Sequence, residues 1–499
     1  MVDVLLTHSY HLAHDTKQFR KMQPYPPLGT LYAATALRRA DISVAVCDTM
    51  FAEPVTAFKM ALAEQRPRLI VIYEDDFNFV SKMCLVHMRE LANEFSSIAR
   101  SAGITVIVHG SDATDHPREY LDNGADFVLN GEVEHSLTEL CKSLLQARPF
   151  DAIPGVVRYS ASDGRLESLL PPPRNPLWAT LPRAARDLID MEPYRRAWTD
   201  AHGYFSTNVV ASRGCPYSCN WCAKPISGNR FQLRDAIEVA EEIHELSAHF
   251  GAEHIWFSDD VFALDRHWIE EFARATESQG RVVPFKIQSR ADLMTDATVS
   301  ALKRAGCVEV WMGVESGSQV ILNAMKKGLQ LSAVHTARAR LASAGIKACY
   351  FLQFGYPGEG WDEICETVQL VRDTRPDDIG VSVSYPLPGT AFFEQVQAQL
   401  GPKRHWTDSD DLCPIHVASY DDVFYHALRD ALHAEVAAWH MPDKSSDPSR
   451  HKALWARVRE LEPVCRNRNP LSLPSDSFSL DRLNGFLPLE DLLAETRRS

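Results

Sequence analysis

Short apolar runs rich in β-branched residues alternate with stretches of helical periodicity along most of the chain, in two separate series. Alternation of this kind restricts a chain to mainly parallel sheets crossed by helices, the α/β class. In the first series, strands are predicted at 2–6, 43–47, 69–72, 105–108 and 126–129, with helices near 28–40, 54–65, 80–102, 114–123 and 135–146. The expected product is an N-terminal doubly wound, Rossmann-like parallel sheet over 1–148. The second series places strands at 207–211, 254–257, 285–289, 308–314, 347–354 and 378–384, which suits a partial six-unit (β/α) barrel over 206–400. Between them, Pro171-Pro172-Pro173 and Pro176 break regular structure, so 149–205 reads as a connector with a small strand at 155–159. The remainder, 401–499, reads as a small, mainly helical segment that shapes a substrate pocket. Its helix at 421–439 turns Phe424, Leu428, Leu432, Val436 and Trp439 inward, and a polar loop follows at 444–451.

Bulk properties exclude several classes of function. The chain has 499 residues, enough for two or three domains, and a net charge of −14, which argues against a broad nucleic-acid surface. No run of about 18 apolar residues indicates a membrane span. The first residues, Met1 to Leu6, lack a basic leader region and read as a strand. Eleven scattered cysteines do not make a small disulfide framework, and a reducing cytoplasm is expected. Eight of them are expected to be buried small hydrophobes. No G-x-S-x-G, P-loop or H-E-x-x-H occurs.

The other three, Cys215, Cys219 and Cys222, stand in Ser212-Arg213-Gly214-Cys215-Pro216-Tyr217-Ser218-Cys219-Asn220-Trp221-Cys222. Gly214 and Pro216 oppose a helix, so the run forms a loop that can wrap a metal centre. Thiolates ligate iron–sulfur clusters or zinc. A closed zinc site wants a fourth ligand nearby, yet the next cysteine is Cys307, and His244 and His249 point to different helix faces. Three ligands to a cubane cluster leave one iron open for catalysis.

With Trp221 before the third cysteine, the motif resembles the signature of radical S-adenosylmethionine (SAM) enzymes. The continuation Ala223-Lys224-Pro225-Ile226-Ser227-Gly228-Asn229-Arg230 is similar to the subset carrying an N-terminal cobalamin-binding domain. Trp406-Thr407-Asp408-Ser409-Asp410-Asp411-Leu412 resembles a stretch in the branch containing the anaerobic magnesium-protoporphyrin monomethyl ester cyclase. The resemblance implies a 4Fe–4S cluster on Cys215, Cys219 and Cys222, with SAM on its open iron.

It also implies roles at the barrel strand ends. Asp259 or Asp260 would meet the SAM amino group, or else cap the next helix. Gln288 and Arg290 end the third strand, where Arg290 either pairs with the methionyl carboxylate or bridges to Asp292. Gly313 and Glu315 end the fourth and would face the ribose, the alternative being a structural ion pair for Glu315. Tyr356 lies in the expected adenine-side loop, which a plain Pro-Gly turn also explains. Trp221 either stacks on adenine or shields the cluster.

At the ends of the first sheet, cobalamin contacts are expected from Tyr10, Tyr25, Pro27, Leu28, Glu74, Asp75, Gly110, Ser111, Asp112, Gly131 and Glu132. No D-x-H-x-x-G follows the first strand, so no lower axial histidine is indicated; His8 and His109 read as polar core residues. A flavodoxin-like domain without cofactor is the alternative. The implied activity is reductive SAM cleavage to a 5′-deoxyadenosyl radical followed by methylation of an unactivated carbon in a small molecule. The alternative is an oxidative cyclisation or rearrangement of the porphyrin-cyclase type. An electron donor such as flavodoxin or ferredoxin is implied as partner.

Overall fold

The computed structural model describes residues 1–77, 85–172, 182–222, 224, 226–401, 403, 405–440, 448–467 and 470. The chain divides into two compact units, one of residues 1–215, 224–259 and 405–410, the other of residues 216–223, 260–404 and 411–499.

In the first unit, strands β1 (Val4–Thr7), β2 (Val44–Cys47), β3 (Leu69–Tyr73), β4 (Thr105–His109), β5 (Phe127–Leu129), β6 (Val156–Tyr159) and β7 (Leu166–Ser168) make one sheet in the order 2-1-3-4-5-6-7. The first five are parallel and β6 and β7 add antiparallel. The expected connector therefore contributes two strands to this sheet. Period-two alternation divides the core between the two faces. Val4, Leu6 and Val71 meet Ala33, Leu37, Leu137 and Leu140 of helices Leu28–Arg39 and Glu134–Leu145. Leu5, Ile70 and Ile72 meet Phe58, Leu91 and Phe95 of helices Pro54–Gln65 and Val86–Ser101. Residues 80–84 of the expected helix 80–102 lie outside the described residues. The helix expected at 114–123 is two short ones, Ser111–Asp115 and Pro117–Leu121, because Pro117 lacks the N–H that would continue the first.

The same unit holds β8 (Ser206–Val209), a ribbon of β9 (Ser212–Arg213) and β10 (Gln232–Leu233), and β11 (His254–Phe257). Strands β8 and β11 pair in parallel, whereas β9 and β10 pair antiparallel and so clasp the two ends of the cysteine segment.

In the second unit, β12 (Phe285–Ser289), β13 (Cys307–Glu315), β14 (Lys347–Phe354) and β15 (Asp378–Val383) pair in parallel, in chain order. Along β13, buried Val310, Met312 and Val314 alternate with half-buried Glu309, Trp311 and Gly313. The six expected strands are thus present, with no closed barrel. Helix Asp422–His440 buries Phe424, Leu428, Leu432 and Val436 as expected and packs on helix Pro448–Cys465. That second helix corrects the loop expected at 444–451 from residue 448 onward, since Pro448 is well placed to start a helix; residues 444–447 lie outside the described residues.

Gly317, just beyond β13, fits against the Trp361–Thr374 helix, where an added Cβ would lie 2.4 Å from the Glu366 carbonyl oxygen and 2.5 Å from Thr367 Cα. Gly317→Ala must shift that backbone and is expected to cost about 1–3 kcal/mol, read as a lower urea midpoint for the second unit.

Candidate functional site

The three motif thiols are half-buried, and no disulfide joins the ten described cysteines. Gly214, immediately before Cys215, has φ +83, and a Cβ there would lie 2.3 Å from the Arg230 carbonyl oxygen. The tight ribbon therefore requires glycine at this position. A set of three thiols on a loop that is not helical fits a cluster held by three protein ligands, by donor chemistry. The expectation of eight buried cysteines needs correcting at Cys365, which is exposed, and at Cys413, which is half-buried; Cys84 lies outside the described residues.

The root of the loop is anchored by charge. Arg213 Nη2 lies 2.5 Å from Glu134 and 3.4 Å from Asp76, all three buried, and its guanidinium covers the Phe77 ring at 4.9 Å. Burial opposes the charged guanidinium, but Glu134 and Asp76 outweigh it and hold its pKa above the ordinary value. At the far end, Arg230 Nη1 lies 3.8 Å from Glu132. Asp259 accepts from Ala211 N (3.0 Å) and the Ser212 hydroxyl, bracing the same root.

At the carboxyl edge of the first sheet, Asp75 accepts from Gly29 N (3.0 Å) and Phe77 N (3.1 Å). Burial and neighbouring Asp76 push its pKa up to about 6 against those two bonds. Glu74 accepts from Ser9 N (3.1 Å), and Gly110 has room for it because a Cβ would sit 2.9 Å from Glu74 Cβ. Asp112 takes Arg89 (2.7 Å) and Tyr120 (2.7 Å). Tyr25 packs between Trp198 and Trp256, and Leu28 is fully buried with Phe77 and Val210. Pro27 starts the helix above Gly29, Gly131 is in the left-handed region, and Tyr10 and Ser111 are buried. His8 bonds Asp48 at 2.9 Å and His109 bonds the Leu129 carbonyl at 2.9 Å, as polar core residues do. Buried Ser9 Oγ, Asp75 Oδ2, Asp76 Oδ1 and His109 Nε2 have no hydrogen-bond partner. Such an edge, at the switch point between β1 and β3, fits a large polar ligand such as cobalamin.

In the second unit, Arg290 is bidentate to Asp292 at 3.0 Å and covers the Tyr217 ring at 3.8 Å. Glu315, with φ +66 at a bulge in β13, pairs with buried Lys327 at 2.8 Å. In both cases the ion-pair alternative is realised. Gln288 is half-buried, its carbonyl accepting from Phe262 N (2.8 Å), and Asp260 is exposed. Tyr356 is buried against Phe392, and its hydroxyl accepts from Asn220 at 2.8 Å. Trp221 packs on the same cluster, its indole N–H buried without a partner. Sequence reasoning missed Arg213, Tyr217, Asn220 and Lys327; their only signal was proximity to the cysteines or, for Lys327, to a glycine after a strand-end helix.

The fold and the thiolate loop define an enzyme of the iron–sulfur, open α/β-barrel class with a doubly wound sheet preceding the barrel. Residues 209–371 match the model of the Radical SAM superfamily, so the chain carries a radical SAM domain. It is 26% identical over 378 residues to an uncharacterized methyltransferase of Pyrococcus horikoshii, covering 74% of this chain and 78% of that one. It is also 26% identical over 396 residues to the hopanoid C-3 methylase of Methylococcus capsulatus, covering 77% and 71%. The structure of TsrM, a radical SAM methyltransferase from Kitasatospora setae with cobalamin and a [4Fe-4S] cluster bound, covers 92% of this chain and 100% of its own at 16% identity and TM-score 0.66. The fold is therefore that of the cobalamin-binding radical SAM enzymes.

Two outcomes follow from these contacts. Arg213→Ala leaves Asp76 and Glu134 buried without their cation and is expected to cost about 3–5 kcal/mol in urea unfolding. Glu359, in the loop after β14, is buried, accepts from Gly355 N at 2.5 Å, and has its pKa pushed by burial up to about 8 from 4.5. Between those values the folded state holds the proton and the unfolded state does not, so stability falls as pH rises from about 4.5 to about 8. Glu359→Gln is expected to flatten that decline in a series of melting curves.

Proposed function

We propose that the protein is a cobalamin-dependent radical SAM methyltransferase that methylates an unactivated carbon of a small molecule. The observation that carries this reading is the rooting of the cysteine loop, through Arg213, on Asp76 and Glu134 at the carboxyl edge of the doubly wound sheet. One buried cation thereby joins the base of a cluster loop to the edge where such a sheet binds its ligand. When bound, the cluster and SAM supply one-electron cleavage of a sulfur–carbon bond to methionine and a 5′-deoxyadenosyl radical, and cobalamin supplies the methyl group.

The residues of the chain hold and orient. Cys215, Cys219 and Cys222 hold the cluster, and Asp259 fixes the root of their loop. Arg290 and Glu315 are placed to exchange their ion-pair partners for the methionyl carboxylate and the ribose hydroxyls. Trp221 covers the loop against water. Gly29, Glu74, Asp75 and Gly110 line the sheet edge for the corrin. The names of two relatives, an uncharacterized methyltransferase and a hopanoid C-3 methylase, support this reading, as does the tryptophan substrate in a second TsrM structure. A set of described cysteines that forms no disulfide suits a reducing cytoplasm, and a flavodoxin or ferredoxin is the proposed electron donor. No described helix is long and apolar enough to cross a membrane.

The test uses anaerobic, cluster-reconstituted, cobalamin-loaded protein with reductant and methyl-deuterated SAM. Mass spectrometry is expected to find S-adenosylhomocysteine together with label on the corrinoid. In Cys219→Ala, cluster absorbance and all SAM cleavage are expected to vanish. Formation of 5′-deoxyadenosine alone, with an unlabelled corrinoid, would favour a cyclase or rearrangement instead.

A further inference from the structure

Cys219 is the middle thiol of the loop, and the residues two before and two after it are both aromatic. Each ring carries a cation. The Arg290 guanidinium lies 3.8 Å from the Tyr217 centroid, and Lys327 Nζ lies 5.9 Å from the Trp221 centroid. Neither cation is held by solvent, since Arg290 is 3% exposed and Lys327 7%. They are also joined to each other, Arg290 Nη1 donating to the Lys327 carbonyl at 3.0 Å.

The loop is pinned to the segment that carries Lys327. Asn220 N donates to the Met325 carbonyl at 3.0 Å, and Asn220 Nδ2 donates to the Ala324 carbonyl at 2.8 Å. One backbone and one side-chain hydrogen bond of Asn220 therefore tie the residue after Cys219 to the segment that carries Lys327. Burial opposes both charges, yet the paired carboxylates, Asp292 for Arg290 and Glu315 for Lys327, outweigh it.

The two cations are neutralised differently. Asp292, which chelates Arg290, is 34% exposed at its side chain, so water screens that pair. Lys327 and Glu315 are 8% and 7% exposed at their side chains and 2.8 Å apart. Glu315 adopts φ +66 to make this contact. Gly313 leaves the space, because a Cβ there would lie 2.6 Å from Glu315 Oε1 and 2.8 Å from Lys327 Nζ. A non-glycine residue in the left-handed region and a glycine beneath it are a high conformational outlay for an ordinary structural bridge. The result, while Glu315 keeps this partner, is a dry dipole beside the loop whose field is weakly screened.

A four-iron cluster gains one negative charge on reduction, and its potential responds to the net charge around it. We infer that the Lys327–Glu315 pair sets the reduction potential of the cluster on Cys215, Cys219 and Cys222, with Lys327 raising it and Glu315 lowering it. The inference rests on the reading of those thiols as cluster ligands. Both residues act through the field at the loop, as positioning residues for charge.

The experiment is a reductive titration of full-length, cluster-reconstituted, SAM-free protein with Ti(III) citrate, followed by electron paramagnetic resonance. Each reduction moves one electron from Ti(III) to the cluster, taking it from the 2+ to the 1+ state. At the wild-type midpoint, Lys327→Gln is expected to lower the reduced-to-oxidised ratio by about tenfold, equivalent to about 59 mV for one electron. Glu315→Gln is expected to raise that ratio, the double variant to return towards wild type, and Lys327→Arg to stay near it. Unchanged midpoints, or shifts of the same sign in both single variants as loosened packing would give, overturn the inference. Should Lys327→Gln fail to fold, the upward shift in Glu315→Gln carries the decision. If wild-type protein binds no four-iron cluster by iron and sulfide analysis, the thiol assignment falls first and the inference falls with it.

Discussion

A single guanidinium, that of Arg213, is the contact on which the cysteine loop depends. It is buried in the first unit between Glu134 and Asp76, with Phe77 beneath it. An arginine in such a place is costly to desolvate, and only two carboxylates with good geometry make it tolerable. The same three residues become costly if any one is lost, which makes the arrangement specific: β9 can leave the ribbon only by stranding charge. Glu134 begins a helix packed on the sheet, and Asp76 follows β3, so the position of the loop root is inherited from the doubly wound core.

The second unit uses charge in a comparable way. Arg290 and Lys327 are each buried, each paired with a carboxylate and each laid over an aromatic residue of the loop. Cation–π contact and ion pairing reinforce one another where water is excluded. Asn220 adds the neutral part of the attachment by taking the carbonyls left free at the end of the Gln319–Ala324 helix. Arg290 and Glu315, both expected at the SAM site, are thus each engaged in an ion pair.

Much of this was legible in the sequence. The five N-terminal strands and the six later ones lie where β-branched runs predicted them, because a strand buried on both faces has little freedom in composition. The three thiols and their glycine were legible for a related reason, since ligand spacing and left-handed backbone are local requirements. The break at Pro117 was readable but overlooked, and helix Pro448–Cys465 was obscured by a weakly amphipathic, highly charged composition. Strand β6 was legible as the small strand at 155–159, whereas β7 was not, because an antiparallel addition to a sheet edge leaves no helical spacer to announce it.

The class of the fold, the succession of its strands along the chain and a three-thiolate loop after the first strand of the second series can all be read from the sequence. Each of these is written in periodicity or spacing over a few residues. Tertiary structure alone decided which charges meet. Arg213 lies 137 residues from Asp76 and 79 from Glu134, and Lys327 finds Glu315 only because β13 bulges and Glu315 turns back over Gly313. An arginine or lysine looks the same in sequence whether it ends in water or in a buried pair. The difference is made by desolvation, and desolvation exists only once the chain has closed around the charge.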